Sequence, residues 1–159
     1  MTLLDGIGFI VQDMLWSAIA ALGFAVLFNA PRRVLPGCAV AAALGHAARS
    51  LLMQMGLDIE LATLVGAGVI GFMSMFFSQR WHSPMPVFSI SAAVTLVPGV
   101  FAFRTMIALL EVSLGDPATA GDALVVASSN AIKTALILGA IALGIAGPAL
   151  LFKREQPVV

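Results

Sequence analysis

Five long apolar runs alternate with short polar connections along this chain. The runs cover about residues 7–28, 34–55, 57–78, 87–113 and 124–152, each long enough to supply the ~20 residues with which an α-helix crosses a bilayer. Between them lie Asn29-Ala30-Pro31-Arg32-Arg33, an acidic turn through Asp58 and Glu60, a polar stretch from Gln79 to Pro86, and a loop with Glu111, Asp116 and Asp122 beside Gly115 and Gly121. The pattern predicts an all-α integral membrane protein, one transmembrane domain over residues 1–159 with five spans. No Lys or Arg precedes the first run, so it is expected to be a retained helix and not a cleaved signal peptide.

The fourth run is unlike the others, because Pro98-Gly99 falls near its middle. Proline removes a backbone donor and clashes with the carbonyl four residues back, and glycine accepts the dihedrals a break needs. Backbone groups freed at that depth need neighbouring helices or a wet cavity to bond them, which is how broken helices build substrate sites in transporters. A kink that serves only helix contact is the other reading of the same residues.

Composition agrees with the class: 60% of the 159 residues are hydrophobic and 10% charged, against about 25% charged in soluble domains. That leaves no room for a soluble domain. Zero formal net charge suggests no nucleic-acid partner. The single Cys38 excludes an internal disulfide and is expected to pack as a small apolar residue. Charge distribution says more. Arg32, Arg33, Arg80, Lys153 and Arg154 fall on one side of a five-span topology, and Asp5, Asp58, Glu60, Glu111, Asp116 and Asp122 on the other. Basic loops stay in the cytoplasm, so the N-terminus is expected in the periplasm and the C-terminus in the cytoplasm of a bacterial inner membrane.

Charged residues inside spans cost about 2.5–3.5 kcal/mol each on insertion scales and so need a partner or a purpose. Asp13 lies six residues into the first span and Arg49 six before the end of the second. At ~1.5 Å per residue both sit about 9 Å below the outer edge, which predicts a structural ion pair between them, or a share in an anion pathway. His46 lies one turn before Arg49, on its face, with Gly45 beside it to admit another helix. It is either a hydrogen-bonded residue of the helix contact or a proton carrier. In the third span, Ala62 with Gly66 and Ala67 with Gly71 have the small-xxx-small spacing of a close helix contact.

The fifth span has Ala127, Ala131, Ala135 and Gly139 at intervals of four, predicting a close seam, with Asn130, Lys133 and Thr134 beside it. Lys133 is about 13 Å deep, level with the Pro98-Gly99 break. It is a candidate for a carboxylate substrate, as is Arg104; alternatively each meets Glu111, or Lys133 stretches toward the interface. Candidate substrate-binding residues are therefore His46, Arg49, Pro98, Gly99, Arg104, Asn130 and Lys133. No nucleophile–base pair, metal-ligand spacing or phosphate loop is present; His46 and His82 are too far apart in the topology to share a metal. No catalytic residue, cofactor or metal is expected.

Short motifs spread in order over nearly the whole chain resemble the threonine/serine exporter family: Phe28-Asn29-Ala30-Pro31-Arg32-Arg33-Val34-Leu35, Gly45-His46-Ala47-Ala48-Arg49, Val97-Pro98-Gly99, Asn130 and Gly147-Pro148. More narrowly the chain is similar to the small five-span subunit that corresponds to the family's C-terminal half. That resemblance implies export of a small carboxylate metabolite, succinate or alternatively threonine and serine, with a second membrane subunit carrying the N-terminal half of the fold. A non-transporting membrane scaffold is the reading from a different class, and homo-oligomerisation is left open.

The topology has a direct test. In a Cys38→Ala background, cysteines introduced at Arg32, Arg80 and Lys153 should react with an impermeant thiol reagent only once the inner membrane is opened. Those at Asp58 and Asp116 should react in intact spheroplasts, and the reverse pattern would overturn the orientation.

Overall fold

The computed structural model describes residues 3–115 and 120–152, all helix and short connections. Asp116, Lys153, Arg154 and the Asp5 side chain lie outside the described residues. Six α-helices follow in order: α1 Leu3–Leu27, α2 Leu35–Gln54, α3 Ile59–Trp81, α4 Met85–Ala93, α5 Gly99–Leu114 and α6 Ala120–Phe152. Single 3-10 turns lead into α2 at Arg32–Val34 and follow α4 at Val94–Leu96. Four continuous helical stretches, Gly6–Leu27, Arg32–Gln54, Ile59–Trp81 and Ala120–Phe152, are long and apolar enough to cross a membrane, and Met85–Leu96 with Gly99–Leu114 forms a bent pair that is apolar enough for a fifth, broken span or a re-entrant loop.

The helix ends follow from local chemistry. After α1, Asn29 takes a left-handed conformation (φ 57°), and the Ala30 N–H reaches back to the Ala25 carbonyl at 2.9 Å. Pro31 then prevents continuation. Gly56 (φ 91°) does the same after α2, with the Leu57 N–H bonded to the Leu52 carbonyl at 3.1 Å. His82 (φ 47°) ends α3, followed by Pro84 and by Pro86 in the first turn of α4. The loop histidine thus closes a helix.

The chain forms two compact units, one of residues up to Leu96 with those from Ala140 onward, the other Val97–Gly139. In the first unit α2 lies against α1, α3 and α4. Its contact with α3 is backbone to backbone: a Cβ added at Gly66 would come within 2.7 Å of the Gly45 carbonyl oxygen, and one at Gly45 would collide with the Ile70 side chain. The C-terminal part of α6 meets α3 just as closely. A Cβ at Gly71 would lie 2.7 Å from the Ile145 oxygen, and one at Gly144 would lie 2.6 Å from the Leu64 oxygen. Ala62, Gly66, Ala67 and Gly71 are all buried. Phe77, Trp81 and Phe88 stack together with centroids 5.0–5.9 Å apart, beside Gly37. Buried Cys38 points its thiol at the Val87 carbonyl.

The expected seam on the fifth span is corrected. Ala127 is buried, but Ala131, Ala135 and Gly139 are exposed. The buried positions of α6 run instead Ala123, Ala127, Ile137, Ile141 and Gly144. A strict interval of four advances 400° per step at ~100° per residue, so the stripe drifts by about 40° each time and leaves the buried face. Large apolar residues such as Trp16, Phe72, Phe103 and Leu143 are exposed, as lipid-facing side chains are in a protein whose solvent is hydrocarbon.

Because the α2–α3 contact has no room for a methyl group, Gly66→Ala should destabilise the protein by about 1–3 kcal/mol. Gly23→Ala, where nothing lies within 4 Å, should be neutral or slightly stabilising. Thermal unfolding in detergent, followed by fluorescence, compares the two.

Candidate functional site

The break in the fourth span starts from Pro98. With no N–H it cannot bond to the Val94 carbonyl, and its ring disfavours helix at Val97. Pro98 takes φ −82° and ψ 60°, the Gly99 N–H turns back to the Val97 carbonyl at 2.9 Å, and α5 starts afresh with Ala102 N–H bonded to the Pro98 carbonyl. The Thr95 and Leu96 carbonyls, which a continuous helix would have bonded four residues on, are left without that partner.

Side chains of α2 take their place. His46 Nε2 lies 2.8 Å from the Thr95 oxygen, and the Arg49 guanidinium donates to the Leu96 oxygen at 3.3 Å. The other imidazole nitrogen, Nδ1, is 3.2 Å from Asp13 Oδ2 on α1, and the Ser50 hydroxyl donates to the same carboxylate oxygen. Three elements, α1, α2 and the end of the broken helix, are thereby tied through one ring. Gly45, next to His46, gives α2 its close approach to α3 at this level.

The expected Asp13–Arg49 ion pair is not formed; the pair that forms is Asp13 with His46. Depth was matched correctly but azimuth was not. From His46, Ser50 lies about 40° one way around the helix and Arg49 about 60° the other. His46 and Ser50 therefore face α1, while the base of Arg49 faces α3, where a Cβ on Gly66 would be 3.2 Å from its own Cβ. From there the long guanidinium stem reaches the Leu96 carbonyl. Ser50 and the Thr95 carbonyl are members that sequence reasoning missed, although Ser50, four residues after His46, was open to the i, i+4 rule.

Pro98, Gly99, Arg104, Asn130 and Lys133 belong to the second unit. There Arg104 and Glu111 line one open groove of about 560 Å³ with Gly99, Val100, Phe103 and Val126, without forming an ion pair. Lys133 places its ammonium 5.7 Å from the centroid of the Phe101 ring, a cation–π contact, and is not paired with Glu111. Asn130 donates to the Val126 carbonyl of its own helix, so its amide is engaged locally. No group of three or more metal-binding side chains occurs among the described residues.

The family described as "Threonine/Serine exporter, ThrE" matches residues 13–151, a range that holds every residue of the Asp13–His46–Arg49 cluster and the Pro98-Gly99 break. The chain belongs to the threonine/serine exporter family. It is 39% identical over 151 residues to an uncharacterized protein of Haemophilus influenzae, an alignment covering 94% of this chain and 50% of that protein. This exporter-family chain thus spans about half the length of the curated relative it matches. No solved structure matches it. Membership makes the chain a multi-pass membrane protein of a transporter family, in keeping with its apolar helices.

Energetic coupling should follow the observed pairing. In a double-mutant cycle, Asp13→Asn and His46→Gln should be non-additive by roughly 1 kcal/mol or more, because either change alone strands a polar partner. Asp13→Asn with Arg49→Gln should come closer to additive. Unfolding in detergent or lipid measures both.

Proposed function

We propose that this chain is one subunit of a secondary transporter in the bacterial inner membrane, with its N-terminus in the periplasm, that exports a small carboxylate metabolite such as succinate. It works with a second membrane subunit carrying the N-terminal half of the family fold; the twofold greater length of its relative supports that division. The observation that carries the reading is the Asp13–His46–Arg49 cluster set against the freed Thr95 and Leu96 carbonyls of a broken span. Such concentrations of charge and non-helical backbone at membrane depth are costly and mark the solute paths of transporters. Arg49 has five N–H groups and commits one at a long 3.3 Å, leaving donors for a carboxylate.

Threonine or serine is the second reading, and one feature favours it beyond the family description. An amino acid brings an ammonium group as well as a carboxylate. Asp13 and the two carbonyls are acceptors for the first, beside an arginine for the second. A dicarboxylate has no use for those acceptors. Arg104, Asn130 and Lys133 are proposed as further substrate contacts on their chemistry alone.

Efflux of labelled succinate, serine and threonine from proteoliposomes, with and without the partner subunit, tests the assignment. Transport is expected with the partner present, and Arg49→Gln should lower it roughly ten- to a hundredfold, the value of a lost charge-assisted bond of about 1.5–3 kcal/mol. Failure of all three substrates in the presence of the partner would leave a scaffold instead.

The break itself makes a separate prediction. Pro98→Ala with Gly99→Ala restores a donor and raises helix propensity, so the backbone N–H groups of residues 99 and 100 would bond the Thr95 and Leu96 carbonyls in place of His46 and Arg49. Membrane abundance should be kept or rise while efflux per molecule falls sharply; full efflux per molecule would remove the break from the mechanism.

A further inference from the structure

We infer that Asp13 and His46 together form a binding site for one exchangeable proton, and that loss of this proton breaks the link that runs from α1 through the His46 ring to the Thr95 carbonyl. The reasoning starts at the Thr95 carbonyl, which can only accept a hydrogen bond. The ring nitrogen 2.8 Å from it, Nε2, must therefore carry hydrogen. A neutral imidazole has one N–H, so with Nε2 protonated its Nδ1 is an acceptor. That atom is 3.2 Å from a carboxylate oxygen, and two acceptors at that separation repel. The two contacts of the ring are compatible only when the pair holds one further proton.

Ser50 decides where that proton sits. Its hydroxyl donates to the same Oδ2 that faces the ring, which suits a carboxylate accepting twice better than a protonated acid donating to the ring. The bound state is thus imidazolium against carboxylate, with net charge zero on the pair. In the released state a neutral ring with Nε2–H faces a carboxylate and the pair carries one negative charge. The proton comes from water and returns to it; the two side chains are 16% and 27% exposed.

Charges on the surrounding elements make both states tenable. On α1, Asp13 is the one charged residue between residues 6 and 27; on α2, His46 and Arg49 are the titratable or charged ones apart from the thiol of Cys38; α3 carries none between Glu60 and Arg80; Met85–Leu96 carries none. Counting the Arg49 guanidinium on the same helix, the bound state carries one positive charge, and the released state, carboxylate with guanidinium, sums to zero. A membrane protein tolerates that better than an isolated carboxylate. Losing the proton turns the Asp13–His46 contact repulsive while the Thr95 bond holds the ring and Ser50 still holds the carboxylate, so the link through the ring is what breaks.

This inference deepens the transport reading and rests on it only for the link to export, because proton binding is measured without substrate. Two histidines are present, so the full chain with His82→Gln and isotope-labelled histidine reports His46 alone by solid-state NMR in lipid bilayers. From about pH 5 to about pH 9, both ring nitrogens should be protonated at the acid end, and Nδ1 alone should lose its proton on the way up. Asp13→Asn should lower that midpoint, since it removes the counter-charge 3.2 Å from Nδ1. Ser50→Ala, which keeps every charge but removes a hydrogen bond that favours the lone carboxylate of the released state, should raise it slightly. A ring that stays neutral down to the acid end, or a midpoint that neither variant moves, would overturn the proposal. A chain that titrates as described yet, with the partner subunit present, exports none of succinate, serine and threonine would refute the transport reading and leave the proton site standing.

Discussion

Two carbonyl oxygens at the end of a broken span govern this structure. In hydrocarbon a free backbone acceptor costs several kcal/mol, so a helix that stops at Leu96 can exist there only if something else donates to Thr95 and Leu96. His46 and Arg49 do so, and that requirement fixes the rotation of α2 and the place of α1, whose Asp13 and the Ser50 hydroxyl complete the hydrogen bonding of the ring. The polar interior is one connected set, and no member is free to be replaced by an apolar residue without stranding another.

The same requirement explains the glycines. For α2 to present two large polar side chains on one flank it must be held rigidly on another, and in lipid that grip comes from close backbone contact more than from apolar burial. Gly45 with Gly66, and Gly71 with Gly144, bring carbonyl oxygens and Cα atoms within the distance a methyl group would occupy. On α2 the polar cluster carries the chemistry and the Gly45 contact with α3 fixes its position, while Gly71 and Gly144 hold α3 against α6 in turn.

Much of this was legible in the sequence. Runs of apolar residues match the four long helices and the bent pair, proline and glycine located the break, and the cost of charge in lipid singled out Asp13, His46 and Arg49. What failed was rotation about helix axes. Depth follows from counting residues, but the Asp13 partner depends on azimuth, which moved the pairing from Arg49 to His46. The same omission placed Ala131, Ala135 and Gly139 in a seam that the 100° turn carries them out of. Lys133 was weighed against carboxylates and the interface, yet it sits over the Phe101 ring, because an aromatic face attracts a cation without any charge to advertise it.

The glycine seams divide the chain into positions with very different freedom to vary over evolutionary time. On lipid-facing flanks Leu, Ile, Val and Phe do the same work, since hydrocarbon does not discriminate among their shapes. At Gly45, Gly66, Gly71 and Gly144 no other residue leaves the neighbouring backbone where it is. Divergence among such proteins would thus accumulate on the outside of the helices while the inner contacts stand still. Overall percent identity would then understate how closely two of them share an interior.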